Sequence, residues 1–377
     1  RQMCIRDSYW NTTKDLLMKT AIPGITGFTS TYANVGQTSN KGIEIALQGV
    51  LVKTRDWNVT AGFNINFNRG KVDKLADNVT GLYGTEWATS STFPKSDYVL
   101  KEGRPVGLVR GLTADGFYTT DDFTYANGVY TLKEGVADVS SAVFPNYHLH
   151  NGMNERPAGQ LAYPGMAKFK DLNDDGIIND DDVDVIGDMT PVHTGGFNIN
   201  ATYKNFDLGL YFNWSYGNEI YNVNKLAALY GYKEGAVYEN KLSIVKDCYK
   251  IYDVVNGELV ALTTPEQLNA ANANAKLPLA YSENGYVSTL GIEDGSYLRL
   301  NTLTLGYTLP KSMLQKAGIS NLRVYGSIYN VFTITGYSGI DAEVSTSTST
   351  KTYPQLGMDW GTYPRARSFV LGVNLSF

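Results

Sequence analysis

The twelve residues from Asp171 to Asp182 (DLNDDGIINDDD) carry the one spacing in this chain suited to metal chemistry. Asp171, Asn173, Asp175, Ile177, Asn179 and Asp182 fall where a calcium loop places its oxygen ligands, and Gly176 falls where such a loop turns sharply. Ca²⁺ takes several hard oxygens on a tightly curved backbone. Here the Asp and Asn side chains would supply them, Ile177 would add its carbonyl, and Ile178 would pin the loop inward. Asp182 stands where Glu is usual, and its shorter side chain alters the coordination. The spacing predicts a structural Ca²⁺; the plainer alternative is a solvated acidic turn.

Little else suggests chemistry. The three histidines are His148, His150 and His193, and none lies beside a nucleophile-elbow sequence. No HExxH, CxxC or phosphate-loop pattern occurs. Carboxylates are plentiful, but no spacing singles out a catalytic pair. Cys4 and Cys248 are too few and too far apart for a disulfide framework. The chain reads as a non-enzyme. Trp87, Tyr147 and Trp360, on predicted loops, are candidates for stacking on sugars or peptide side chains.

The elements that would position these residues are strands. Trp57, Val59, Ala61, Phe63, Ile65 and Phe67 alternate without a break with Asn58, Thr60, Gly62, Asn64, Asn66 and Asn68. A strand turns successive side chains to opposite faces. About twelve residues at ~3.3 Å, tilted ~45°, rise roughly 28 Å, which matches a hydrocarbon core. The same alternation appears in 41–53, 197–203, 206–214, 296–309, 322–335 and 365–377, and more weakly in 9–20. The last of these ends on Phe377, with Phe369, Leu371, Val373 and Leu375 on the same face. Short connections (54–56, 204–205, 310–320) alternate with long ones (21–40, 70–192, 219–295, 336–364). Outer-membrane barrels have this asymmetry of short periplasmic turns and long extracellular loops. The loop at 70–192 is expected to hold a hairpin near 106–118. The stretches 269–276 (NAANANAK) and 345–352 (STSTSTKT) are expected to be mobile tips, and 310–318 a turn or two of helix.

Composition agrees. Among 377 residues only 18% are charged, while Tyr numbers 27, Phe 14 and Trp 5. That suits an all-β chain with aromatic belts, here Tyr9, Trp10, Trp57, Tyr203, Trp214, Tyr216 and Tyr307. A net charge of −5 gives no reason to expect nucleic acid. Arg1 stands in place of Met and 1–8 show no strand pattern. These residues are expected to be an artefact or disordered, and the chain to be a piece of a longer protein.

In their order, KFKDLNDDGIINDDDVDVIG (168–187), FNINATYKNFDLGLYFNWSYGNEIY (197–221), YLRLNTLTLGYTL (297–309), NLRVYGSIYNVF (321–332), the ending RSFVLGVNLSF and the early GQTSNKGIEIAL (36–47) resemble SusC/RagA-type TonB-linked outer-membrane proteins of Bacteroidetes. The resemblance covers nearly everything from Tyr9 onward. It implies that 9–377 is the C-terminal part of a larger antiparallel transmembrane β-barrel, with about eight of its strands and long extracellular loops. It implies import of glycans or peptides across the outer membrane with TonB-derived energy, and a SusD-like surface lipoprotein partner. TonB would act through an N-terminal region that this chain does not include. Phe377 would be the terminal aromatic read by the barrel-assembly machinery, and outer-membrane lipid would bathe the apolar rows. Two other readings are weighed: a self-contained eight-strand barrel serving as adhesin or anchor, and a secreted β-sandwich enzyme or glycan-binding module with a calcium loop.

Overall fold

A computed structural model describes residues 3–21, 30–76, 79–90, 92–144, 156–230, 242–280, 285–314, 318–344 and 355–377. Eight long strands form one antiparallel sheet in chain order: β1 (Met3–Ala21), β2 (Ser30–Lys53), β3 (Trp57–Lys74), β4 (His193–Tyr203), β5 (Phe206–Tyr216), β6 (Tyr297–Thr308), β7 (Asn321–Thr335) and β8 (Ser368–Ser376). All eight expected strands are present, and β1 and β8 are the unpaired edges. Among the described residues the eight do not close on themselves, which speaks against the self-contained small barrel. Phe369, Leu371 and Val373, on the apolar row of β8, are 63–90% exposed, and among the described residues no second sheet packs over them as a sandwich would need.

Register keeps the two faces apart. Phe63 lies opposite Leu47 and Phe197, Phe197 opposite Phe212, Phe212 opposite Leu300, and Leu300 opposite Phe332. A second line runs Leu210, Leu303, Ile328, Phe369. Toward β8 this face is bare, with Leu371 90% and Phe369 72% exposed, whereas Leu300 is buried beneath its aromatic neighbours. The accessible surface is 21743 Å². A soluble monomer of this mass would expose about 15,000 Å². An apolar face of this extent belongs in lipid, not water. No helix among the described residues is long and apolar enough to cross a membrane, so the strands do the crossing.

Aromatic pairs mark the two ends of the apolar band. At the short-turn end Trp57 packs on Tyr203 (4.4 Å between centroids) and Phe206 on Tyr307 (4.7 Å). At the loop end His193 stacks on Tyr216 (5.0 Å) and meets Phe67 (5.4 Å), and Trp214 Nε1 donates to His193 Nδ1 (3.1 Å). Rings with a polar tip suit the border of oil and water. Tyr9 departs from the expected belt. Its hydroxyl donates inward to Asn68 Oδ1 (3.0 Å), and its ring fills the space above Gly42, where a side chain would not fit.

Several expectations need correction. Residues 3–8 are strand, because β2 offers them a full row of backbone partners. Their polarity runs backwards, however: Cys4, Arg6 and Ser8 face the apolar row of Leu47, Ile45 and Ile43, while Met3 and Ile5 face the polar side. The connection at 21–40 is mostly an extension of the same hairpin, Leu16–Ala21 pairing with 30–36. No hairpin forms at 106–118. Leu108–Leu112 pairs with Val183–Asp188 and Tyr98–Leu100, whereas Ala114–Phe117 pairs with Ala167–Phe169. Only Thr113 separates the two strands, too little for a two-residue turn.

The loops at the other end are packed, not loose. Tyr118, Tyr163, Ile178, Tyr221, Leu226, Leu268 and Tyr286 belong to one core drawn from both long loops, and Met358 adds the last one. Asn269 and Asn272, expected on a mobile tip, lie in α2 (Pro265–Asn272; α1 is Val223–Tyr230). Thr264 and Gln267 form a capping box around Pro265, Asn269 accepts from the Thr120 hydroxyl (2.7 Å), and Asn272 brackets Lys250. α3 (Lys311–Leu314) is the expected turn of helix after Pro310. Residues 345–352 and the pair His148 and His150 lie outside the described residues.

The two faces differ in their tolerance of charge. Phe63→Arg, near mid-membrane, costs about 2–4 kcal/mol in lipid, whereas Asn64→Arg on the polar face costs well under half of that. Denaturant titration of the membrane-inserted protein checks the contrast.

Candidate functional site

The polar face of the sheet is a wall of amides and hydroxyls. Tyr211 donates to Asn200 Oδ1 (3.1 Å), Asn301 Nδ2 to Asn213 Oδ1 (2.6 Å) and Asn213 Nδ2 to Tyr297 (3.1 Å), and the Thr304 and Ser327 hydroxyls share a bond (2.8 Å). Near the short turns Arg323 Nε donates to Asp207 Oδ1 (2.9 Å), so the charges there cancel. Such a wall faces water or a polar neighbour and offers many hydrogen bonds.

At the loop end the sheet grips its loops through charge. Arg299, in β6, is 1% exposed. Its guanidinium bonds to Asp341, lies 3.9 Å from Glu343 and donates to Asn330 Oδ1 (3.4 Å). Arg365 adds 2.9 Å and 3.8 Å contacts to Glu343 and Asp341. Asn330 reaches inward because its backbone takes a left-handed turn (φ 53°) at an irregularity in the β6–β7 register. Sequence reading passed over Arg299; an arginine within YLRLNTL was the available signal.

Glu293 is a second node. It accepts from Lys225 Nζ (3.0 Å), the Ser338 hydroxyl (2.8 Å) and amide (2.9 Å), and Asn222 Nδ2 (3.3 Å). It thereby joins α1 to the last loop. Three short strands, Glu219–Asn222, Ile292–Asp294 and Met358–Asp359, pair beside it, and Tyr337 donates to Asp359 (2.7 Å).

Between α1 and the last loop lies a cleft of roughly 570 Å³. Ala227, Ala228, Ile244 and Ile340 give it apolar lining, while Asn222, Ser338 and Thr362 give polar groups. Trp360 borders it with its side chain half exposed (49%). An indole beside amides and hydroxyls can stack on a ring or an aliphatic chain and fix its polar groups. Trp87 packs against the core, edge-on to Tyr221 at 6.5 Å. Tyr147 lies outside the described residues.

The loop at 171–182 is tightly ordered by its own side chains. Asp171 accepts from the amides of Gly176 (2.7 Å) and Asp175 (3.3 Å), and Asp175 from Ile177 (2.8 Å). Asn179 accepts from Asp181 (2.7 Å). Asp182 is fully buried and accepts from Leu172 and Asn179 (2.7 and 2.8 Å). Gly176 takes the positive φ (83°) that the turn requires. The donor types fit calcium. Several of these oxygens also cap amides within the loop, and among the described residues no three His, Cys, Asp or Glu side chains come together. Phe377, 90% exposed, follows β8 at the short-turn end.

The lipid-faced sheet and its packed loops have counterparts in known proteins. A TonB-dependent receptor of Formosa agariphila, P3, is 30% identical over 376 residues, covering 98% of this chain and 32% of the relative. The TonB-dependent receptor SusC of Bacteroides thetaiotaomicron is 26% identical over 379 residues, again across 98% of this chain. This chain is a homologue of the SusC/RagA-type TonB-dependent receptors. It spans about a third of the length of the curated relatives it matches. A solved structure of the RagAB peptide importer in its closed-closed state superposes on all of this chain with a TM-score of 0.67 at 23% identity, which identifies the fold. No family model matches. SusC/RagA-type receptors are outer-membrane β-barrel proteins, and the outer membrane is where this lipid-faced sheet resides.

Acid tests the Glu293 node. Burial alone would raise its carboxyl, but the bonds from Ser338 and Lys225 outweigh that and hold it below its ordinary value of 4.5. A lowered folded value means that the stabilisation is complete above 4.5 and is lost as pH falls through the folded value. Hydrogen exchange at the Ser338 amide should therefore speed up on acidification below that point, after correction for intrinsic rates. Glu293→Gln should abolish the pH step.

Proposed function

We propose that the chain is the C-terminal barrel wall and loop dome of an outer-membrane importer of glycans or peptides. The observation that carries this reading is the lipid-faced sheet crowned by a packed dome with an open, aromatic-bordered cleft. The unpaired edges of β1 and β8 would be covered by further strands of the same receptor, because open edges are not tolerated in lipid. Transport, not catalysis, is its task. Cargo would be held by the dome in company with a SusD-like surface lipoprotein. Energy would come from TonB through parts of the receptor outside this chain, and Phe377 would serve the barrel-assembly machinery.

The test is uptake of labelled glycan or peptide by cells carrying the full-length receptor. Trp360→Ala should lower uptake at limiting cargo roughly three- to tenfold, the worth of one aromatic contact, with unchanged receptor in the outer membrane. Uptake equal to wild type would remove the cleft from the pathway.

For 171–182 we propose Ca²⁺ as a structural ion that would draw on the oxygens of Asp171, Asn173, Asp175, Ile177, Asn179 and Asp182, whose types and order support the idea. Calcium should then raise the melting temperature of the dome and EDTA lower it. Melting that ignores both, with the Asp182→Ala variant still destabilised, would leave these side chains as amide caps alone.

A further inference from the structure

A second concavity lies elsewhere in the dome, in the loop between β3 and β4, and nothing in the import reading uses it. It is a cleft of roughly 450 Å³ lined by Ser90, Thr92, Lys95, Ser96, Arg110 and Ser141, with Asp180 the one acidic side chain on its wall. Two cations against one carboxylate leave it one positive charge in excess.

Arg110 is fixed in place. It sits in the middle of Leu108–Leu112, an interior strand of a four-stranded sheet. Its guanidinium lies 4.8 Å from the centroid of the Tyr83 ring, and Nη1 donates to the Ser96 hydroxyl (2.8 Å). A guanidinium has five N–H donors in a rigid plane, so most of the fork remains for a further acceptor. Among the described residues, neither Arg110 nor Lys95 has an ion-pair partner; the ion pairs there involve Lys71, Lys101, Lys168, Lys225, Arg299, Arg323 and Arg365. The nearby Asp97 is no competitor, because its carboxylate accepts from the amides of Glu86, Trp87 and Ala88.

We propose that this cleft binds an oxyanion, a carboxylate or sulfate group carried on a small solute. The fork of Arg110 would take two of its oxygens, Lys95 would add charge, and the serine hydroxyls would complete the shell. A planar, half-buried guanidinium stacked on an aromatic ring is suited to bidentate oxyanions. The volume, within the range of small-molecule sites, exceeds what a bare ion needs and leaves room for the group that bears it.

The experiment uses the full-length receptor in detergent and measures binding directly, so its outcome does not depend on transport. Sodium sulfate and sodium glucuronate are titrated at ionic strength matched with sodium chloride. Saturable binding is expected in the wild type. Arg110→Gln should weaken it by about tenfold or more and Arg110→Lys by less, since lysine keeps the charge but loses the fork. Should Arg110→Gln fold poorly, Lys95→Gln decides: that side chain is exposed and outside the packed core, and its loss should still weaken binding several-fold. Asp180→Asn should strengthen it. Affinity unchanged in Lys95→Gln and Arg110→Lys, or no saturable binding of either probe, overturns the proposal. Binding seen only to vesicles containing phosphorylated lipid also overturns it, since the anion would then belong to the membrane surface.

Discussion

Every backbone N–H and C=O that enters lipid must be paired within the protein, because hydrocarbon offers no replacement for water. The rest of this molecule depends on that constraint. It makes the strands long and continuous, it aligns them in chain order, and from β2 onward it gives them an apolar row on the side away from their polar neighbours. Hydrophobic burial against lipid then fixes register, since a one-residue slip would turn Asn64 and Asn66 into the membrane and Phe63 and Ile65 out of it.

The same sheet anchors the dome. A buried guanidinium such as Arg299 is costly by several kcal/mol unless its charge is matched and its donors are bonded. Asp341 and Glu343 match the charge and Asn330 accepts from Nη1, while among the described residues Nε is left without an acceptor. The last loop is therefore tied to the barrel wall by a requirement of charge balance, while Glu293 ties the same loop to α1. Between these two nodes the loops share one apolar core and frame the Trp360 cleft. Membrane strands and water-facing dome thus obey different rules: apolar outside and polar inside for one, the reverse for the other.

How much of this the sequence disclosed follows from the range of the interactions. Strand identity is local: alternation over ten residues placed seven of the eight membrane strands, and 9–20, with its weaker pattern, was the first. The calcium-like loop was legible as a turn with Gly176 at its corner, but the amides that its carboxylates accept from within the loop were not. What escaped was long-range. The helix over 265–272 was hidden by its low-complexity composition, although Thr264, Pro265 and Gln267 signalled its start. The separation of 108–112 from 114–117 depends on partners tens of residues away. Arg299, Glu293 and Arg110 become notable only once distant loops surround them. The inverted polarity of 3–8 is the opposite case, where backbone pairing proceeds although the side chains disagree with the face they occupy.

The central claim is that β3 and its neighbours separate lipid from a polar interior. Cysteine scanning along 57–68, in the full-length receptor in its outer membrane with Cys4 and Cys248 replaced by serine, tests it most directly. Cysteines at 58, 60, 64 and 66 should react with a water-soluble maleimide once the interior is opened by denaturant, while those at 59, 61, 63 and 65 should stay protected and react with a lipid-soluble reagent. Equal labelling at both sets would contradict a membrane-spanning β3, and with it the division between a lipid face and a polar face.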